Sequence, residues 1–194
     1  MTLKLGLTGA IASGKSTLLK AFAAEGVPVF SADEAVHVLY RGEAVGPVGA
    51  AFPGVVRNGE IDRAALSTQL VENPARLAEL EAIVHPLVRA RIKAFLAAAE
   101  RQRAPLAVVD IPLLYEGGHD YGLDAVVVTV AEPAELRRRA LSRPGMTVEK
   151  LETILARQMP QDEKRKRADY VVDTSGPVEA SRAWVRKFVA EHGS

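Results

Sequence analysis

The segment Gly9-Ala-Ile-Ala-Ser-Gly-Lys-Ser16 limits the possible folds of this chain more than any other, because it matches the pattern G-x-x-x-x-G-K-[ST]. Before it, Leu3–Thr8 is a short apolar run bounded by glycine, which predicts a buried strand. After it, apolar residues follow helical spacing, and Gly26 can end that helix in a left-handed conformation. Val27–Phe30 predicts a second strand. The chain therefore opens with a βαβ unit, which implies a parallel sheet.

The residue types in this segment suit phosphate binding. Gly9 and Gly14 permit backbone torsions that turn consecutive amide N–H groups toward phosphate oxygens. Lys15 can reach the β- and γ-phosphates, Ser16 can join a Mg²⁺ shell, and Thr17 lies close enough for the α-phosphate. We therefore expect a nucleoside triphosphate with Mg²⁺ at the start of the first helix.

Three further apolar, β-branched runs bring the predicted strands to five: Leu106–Asp110, Ala125–Val130 and Tyr170–Val172. Between the second and third strands, residues 33–103 have helical spacing and little strand character. In this stretch Asn73 is a predicted helix cap, and Pro86 is expected to break or kink the helix. We interpret the stretch as a helical insertion on one side of the sheet. The last helix, from about Pro177, should pack Trp184, Val185 and Phe188 against the sheet.

Two aspartates follow strands at the edge where open α/β sheets bind ligands. Asp33, after the second strand, can accept a proton from a substrate hydroxyl or orient it. The alternative, of about equal weight, is that Asp33 or Ser31 simply caps the next helix. Asp110 ends the third strand and can hold Mg²⁺ directly or through water, the alternative being a turn residue beside Pro112.

Arginines are concentrated between residues 137 and 157, at positions 137, 138, 139, 143 and 157. They flank a Pro144-Gly145 turn, which suggests a mobile lid that stabilises phosphate charge. Most of them are expected to face solvent, with Arg139 and Arg157 the preferred functional pair. His85 is either a structural residue or a substrate contact.

Composition excludes several classes of protein. The chain has no cysteine, so disulfides, thiolate metal sites and cysteine nucleophiles are absent. We expect a cytoplasmic protein, because we find neither a leader pattern nor an apolar run long enough to span a membrane. A net charge of +1 and an arginine run without nearby aromatic residues argue against nucleic-acid binding. A GTPase-like switch is disfavoured because the [NT]-K-x-D pattern for guanine is missing.

Together the motifs resemble those of the dephospho-CoA kinase family, over about residues 5–176. The resemblance is carried by residues 6–16, Ser31-Ala-Asp33, His85-Pro86, Asp110-Ile-Pro-Leu-Leu-Tyr-Glu116, and Arg157-Gln158 through Ala168-Asp169-Tyr170. Two positions depart from the family pattern: Ala10 replaces a usual glycine, and Thr174 stands where the family commonly has asparagine.

The resemblance implies ATP-dependent phosphorylation of the ribose 3′-hydroxyl of dephospho-CoA, with Ala12–Thr17 holding ATP and Asp33 as the base. It implies one P-loop NTPase domain, a three-layer sandwich with a five-stranded parallel sheet. The expected core covers about residues 1–33, 104–132 and 168–194, with an acceptor-binding insertion at 34–103 and a lid at 133–167. A monomer is favoured. The alternative is a P-loop kinase of another small metabolite or of a nucleoside monophosphate.

Overall fold

The computed structural model describes residues 1–193. The strands are Leu3–Gly9 (β1), Val29–Ser31 (β2), Val56–Arg57 (β3), Glu60–Ile61 (β4), Leu106–Asp110 (β5), Ala125–Val130 (β6) and Tyr170–Asp173 (β7). The α-helices are Lys15–Ala24 (α1), Ala32–Leu39 (α2), Val45–Ala51 (α3), Arg63–Glu72 (α4), Leu77–Arg101 (α5), Pro133–Leu141 (α6), Val148–Arg157 (α7), Gln161–Arg167 (α8) and Val178–His192 (α9). The first compact unit comprises Met1–Phe30 and the chain from Leu96 onward, and the second comprises Ser31–Phe95.

Five strands form one parallel sheet in the order β2-β5-β1-β6-β7, so the predicted α/β class with a five-stranded parallel sheet is confirmed. β1 lies at the centre, with Leu3 paired to Leu106 of β5 and Leu5 paired to Ala125 of β6. Every residue of β5 is buried. Because the strands are parallel, the loops that follow their carboxyl ends emerge at the same edge of the sheet.

The core of the first unit joins α1 and α9 to the sheet. Phe22 of α1 and Phe188 of α9 pack edge to face with ring centroids 6.0 Å apart, in one apolar cluster with Leu5, Leu7 and Val108. Trp184 packs against this cluster, as its helical stripe predicts. Among residues 1–193, no helix has both the length and the apolar character that a membrane span requires.

The second unit is mostly helical, in keeping with its predicted lack of strand character, but it contains a short hairpin of two two-residue strands that the sequence analysis did not predict. Val56 pairs with Ile61, and Arg57 pairs with Glu60. Both turn residues, Asn58 and Gly59, have positive φ. An Asn-Gly pair favours two-residue hairpin turns of this kind, so Asn58-Gly59 is the sequence feature from which the hairpin could have been predicted.

Of the two outcomes predicted at Pro86, a break or a kink, the break is wrong, because α5 runs through the proline. Proline removes one intrahelical hydrogen bond, which leaves the carbonyl of Ala82 without its donor. Ala82, His85 and Pro86 are exposed, so water can reach that carbonyl. Asn73 does not cap a helix with its side chain. A 3₁₀ turn, Pro74–Arg76, lies between it and α5.

Candidate active site

The predicted phosphate-binding segment forms a tight loop between β1 and α1. A Cβ atom on Gly9 would lie closer than 3.0 Å to the hydroxyl oxygens of Ser13 and Thr129, so a side chain does not fit there. Gly14 has φ 87° and precedes the first residue of α1. The N-terminal end of α1 therefore faces the loop, which favours a bound anion.

A cavity of about 420 Å³ lies at this loop. It is lined by residues 12–17 together with Glu135, Arg138, Arg139, Arg143 and Thr174. The structure thus brings Arg139 together with most of the residues predicted to bind ATP. The Lys15 ammonium donates to the carbonyl oxygen of Gly9 at 3.1 Å, which folds its side chain back along the loop. Ser16 is exposed at the start of α1.

Arg139 is held in this cavity by several hydrogen bonds. Its Nη2 donates to the Thr174 carbonyl at 2.7 Å, and its Nε donates to Glu135 at 2.6 Å. Hydrogen bonds from Arg138 and Arg139 lower the pKa of Glu135 to about 2. The Thr174 hydroxyl lies 2.9 Å from the carbonyl oxygen of Ser13, so Thr174 links the arginine to the loop. Thr174, which departs from the family pattern, therefore has a structural role in joining Arg139 to the phosphate loop.

Asp110 occupies the carboxyl end of β5 and is 5% exposed. Its backbone pairs with Leu7, two residues before Gly9 of the loop. Two residues beyond Asp110, the carbonyl of Pro112 accepts from the Thr8 hydroxyl at 3.1 Å. These contacts fix the course of the chain where the aspartate leaves the sheet.

A buried ion pair supports the same segment. Lys164 of α8 is fully buried, and its Nζ lies 2.8 Å from Glu116 Oε1 and 3.4 Å from the Pro112 carbonyl. Burial alone would raise the pKa of Glu116, but hydrogen bonds from Lys164 and the Met159 amide outweigh it and lower that pKa. Because Lys164 belongs to a run of charged residues, no local pattern predicts its burial.

Asp33 lies in the second unit, in the first turn of α2. The Ser31 hydroxyl accepts from the Glu34 amide at 3.3 Å, so Ser31 is the helix cap and Asp33 is not. Asp33 is exposed and lines a cavity of about 490 Å³. The polar residues that share this cavity with it are His37, Tyr40, Arg63 and Ser67.

The cation of this second cavity has an unusual partner. Arg63 Nη1 lies 2.8 Å from His37 Nε2. Because a guanidinium only donates, that imidazole nitrogen accepts and carries no proton. Within residues 1–193, no carboxylate forms an ion pair with Arg63. Burial raises the pKa of Tyr40 beside it, and Arg63 partly offsets that rise.

Four predicted site residues line neither cavity: Gly9, Asp110, His85 and Arg157. His85 is exposed on α5, and Arg157 is exposed at the last position of α7. Sequence reasoning missed Glu135, His37, Tyr40 and Arg63. No spacing in the sequence links Arg63 to His37, which lies on a different helix.

A sequence profile of the dephospho-CoA kinase family matches residues 3–179. The chain belongs to this family. A dephospho-CoA kinase of Rhodopseudomonas palustris (strain BisB18) is 54% identical over 186 residues, which cover 96% of this chain and 94% of that protein. One from Agrobacterium fabrum is 53% identical over the whole of both chains.

Solved structures agree with this membership. The dephospho-CoA kinase from Campylobacter jejuni superposes with a TM-score of 0.75 at 25% identity, over 100% of this chain and 98% of that one. A shikimate kinase from Bacteroides thetaiotaomicron is 18% identical with a TM-score of 0.54, over 97% of each chain, and shares the fold alone. The chain is therefore a kinase with the P-loop fold.

Proposed function

We propose that this member of the dephospho-CoA kinase family transfers the γ-phosphoryl group of ATP to the ribose 3′-hydroxyl of dephospho-CoA, giving coenzyme A and ADP. The observation that carries the proposal is its full-length similarity to relatives that bear the name of this activity. The cavity at the phosphate loop supports it, because Lys15 and three arginines are among its lining residues. A cytoplasmic location and a monomeric state stay predictions of the sequence.

ATP binds in the cavity at the phosphate loop in this proposal. The amides of residues 12–17 surround the phosphates, Gly9 lets the loop fold tightly, and Lys15 neutralises the β- and γ-phosphates. Arg139 stabilises the charge that develops on the γ-phosphoryl oxygens, and its existing hydrogen bonds keep it in place. Arg157 is a second candidate for this contact, supported by its neighbour Gln158, which accepts from the Ile11 amide.

Mg²⁺ accompanies ATP in the proposal, and the donor chemistry of two residues fits it. The Ser16 hydroxyl and the Asp110 carboxylate, the latter acting through water, supply the oxygen ligands that Mg²⁺ prefers. The cation needs few protein ligands because phosphates and water complete its shell. Its chemical contribution is to neutralise charge on the β- and γ-phosphates.

The acceptor binds in the cavity of the second unit. Arg63 has no acidic partner there, so its charge can meet the diphosphate of dephospho-CoA. The ring of Tyr40 offers an apolar surface for the adenine base. His85 as a further substrate contact stays a prediction.

Asp33 is the base. Its carboxylate hydrogen-bonds the 3′-hydroxyl, aligns the oxygen with the bond to be broken, and accepts the proton as that oxygen bonds to the γ-phosphorus. The bridging oxygen leaves with ADP. Support comes from the position of Asp33 directly after β2, a strand of the parallel sheet, because ligands of such sheets bind at the carboxyl ends.

The test is turnover on a panel of acceptors. The protein is incubated with MgATP and, separately, dephospho-CoA, AMP, CMP or shikimate, and ADP release is followed. We expect release only with dephospho-CoA, and phosphorus NMR of the product should show a 3′-monophosphate. Turnover of AMP or CMP without turnover of dephospho-CoA would contradict the proposal and favour a nucleoside monophosphate kinase.

A further inference from the structure

We infer that α7 sets the shape of the first half of the phosphate loop, which makes Leu151 and Gln158 positioning residues for ATP binding. The inference rests on the proposed function only in assuming that ATP occupies the cavity at this loop. It assigns a role to two side chains of the lid region that contact the loop rather than the nucleotide.

Ala12, in the middle of the loop, adopts a conformation that its side chain disfavours. Its φ is 61°, in the left-handed region where a Cβ atom crowds the backbone. Residues with a side chain remain in such conformations only where their surroundings hold them. Ala12 is 7% exposed, so packing is available to hold it.

The packing comes from the lid helices. Ala12 forms one apolar cluster with Ala140 of α6 and Leu151 of α7, and these two residues are 0% and 1% exposed. Ile11 packs against the same cluster, together with Leu155 of α7. The apolar side of the loop is thus covered mainly by α7.

A hydrogen bond reinforces this packing at the neighbouring residue. The Ile11 amide donates to Gln158 Oε1 at 3.0 Å, directly after the end of α7. One amide of the phosphate loop is therefore committed to a side chain of the protein rather than to phosphate. Two adjacent residues of the loop, Ile11 and Ala12, are therefore held by α7 and the residue that follows it. The contacts are apolar packing and one hydrogen bond.

Other left-handed residues show that strain alone does not explain this arrangement. Asn58 and Arg103 also have positive φ, at 52° and 55°, but both are exposed, whereas Ala12 is buried. Arg103 lies two residues after the end of α5. It provides a matched control, because glycine should relieve its strain without changing ATP binding.

The experiment measures the dissociation constant of MgATP for variants of the full chain, together with kcat and the KM of each substrate. Leu151→Ala should weaken MgATP binding about three- to ten-fold, which lies in the lower part of the range of interaction energies between contacting residues. At saturating ATP, kcat and the KM for dephospho-CoA should stay unchanged. Leu151→Met, which conserves volume, should restore the affinity.

Ala12→Gly and Gln158→Leu test the contacts between the loop and α7 at two further positions. Ala12→Gly removes the methyl group that packs in the cluster with Leu151, and Gln158→Leu removes the hydrogen bond to the Ile11 amide. Ala12→Gly should weaken binding although glycine is relaxed at this φ, because the methyl anchor is lost. When Ala12→Gly is combined with Leu151→Ala, the double variant should bind MgATP as tightly as whichever single variant binds it less tightly. The two effects should not add, because both changes remove the same contact. A merely structural role for Leu151 predicts lower stability with unchanged affinity. If Leu151→Ala does not fold, Ala12→Gly and Gln158→Leu carry the test.

Val148→Ala, on the exposed start of α7, and Arg103→Gly should leave MgATP affinity unchanged. Lys15→Met separates the two proposals. If Lys15→Met abolishes MgATP binding while the Leu151, Ala12 and Gln158 variants all stay within about two-fold of the parent, the inference is overturned and the proposed function stands. If Lys15→Met binds MgATP like the parent, the proposed nucleotide site itself is wrong.

Discussion

The two cavities of this protein differ in how their charged residues are partnered. At the phosphate loop, Arg139 is already bound to Glu135 and to Thr174, and Thr174 is bound to the loop. In the second unit, Arg63 contacts an imidazole nitrogen of His37, it forms no ion pair with a carboxylate within residues 1–193, and Asp33 is exposed. The charged groups of the first cavity are therefore already held by the protein, whereas the second cavity leaves a carboxylate and a guanidinium available to the acceptor that we propose binds there.

This difference has a physical rationale. Groups that stabilise a transition state act best when they need no reorganisation during the reaction, which favours fixed arginines near the transferred phosphoryl group. Groups that recognise an acceptor contribute most when the ligand supplies their missing partner. Substitutions near the phosphate loop should therefore affect stability as well as function, and those in the second cavity should affect mainly the use of the acceptor.

The largest effect should come from Asp33→Asn, which removes the base while leaving the arginines intact. We expect kcat to fall by about 10²–10⁴-fold, the usual contribution of a general base, with MgATP affinity unchanged. Steady-state kinetics and nucleotide titration check this result. Glu34→Gln, an exposed neighbour in the same helix turn, is the control and should behave like the parent. Near-normal turnover of Asp33→Asn would mean that another group takes the proton.

The second-largest effect should come from Lys164→Met, which changes an ion pair of the first unit. Removing one partner of a buried ion pair leaves Glu116 without its counter-charge, at a cost of about 3–5 kcal/mol in the free energy of unfolding. Urea denaturation measures the loss. Combining it with Glu116→Leu should recover most of the stability, and Lys166→Met, at an exposed lysine, should change little. Equal losses in the Lys164 and Lys166 variants would contradict the role of burial.

Arg63→Gln probes the second cavity, where function rather than stability should respond. Losing a charge-assisted contact to the acceptor should raise the KM for dephospho-CoA by about ten- to hundred-fold. The KM for ATP and the unfolding midpoint should stay close to the parent values. Arg41→Gln removes an exposed arginine that pairs with Glu60 and serves as the control. An unchanged acceptor KM would remove Arg63 from the proposed site.

The smallest effect should be a pH dependence at Glu135. Its pKa in the folded protein is about 2, below the ordinary value of 4.5, so its ionised form stabilises the fold above the ordinary value. That contribution is lost as the pH falls toward 2. The difference in unfolding free energy between the parent and Glu135→Gln should therefore shrink between about pH 5 and about pH 2. A difference that stays constant over this range would show that the arginines do not hold this carboxylate.

Local patterns predicted the parts of the fold that depend on neighbouring residues. Strands β5 and β6 match their predicted ranges because continuous β-branched runs suit buried parallel strands. Thr147, a residue type that favours helix caps, caps α7 with its hydroxyl accepting from the Lys150 amide. The phosphate loop could be predicted because the residues that define its motif are eight consecutive positions, residues 9–16.

Contacts between distant residues were not predictable in this way. Lys164 and Glu116 are far apart in sequence, and Lys164 sits in a helix whose other charged residues are exposed. Arg63 and His37 are in contact although they lie on different helices of the second unit, α4 and α2. β2 begins at Val29 rather than Val27, and the carbonyl of Pro28 accepts from Val108, a partner that no local pattern reveals.

The pairing of β1 with β5 bears on how this chain folds and how it has diversified. Leu3 must find Leu106, so the central strand of the sheet waits for a partner synthesised long after it, and this non-local step should slow folding. Once the strands have met, the length of the intervening chain matters little, because each doubling of a flexible loop costs only about 0.6 kcal/mol. A sheet closed in this way tolerates the replacement of one insertion by another. The segment between β2 and β5 can therefore change in length while the central strands keep their pairing.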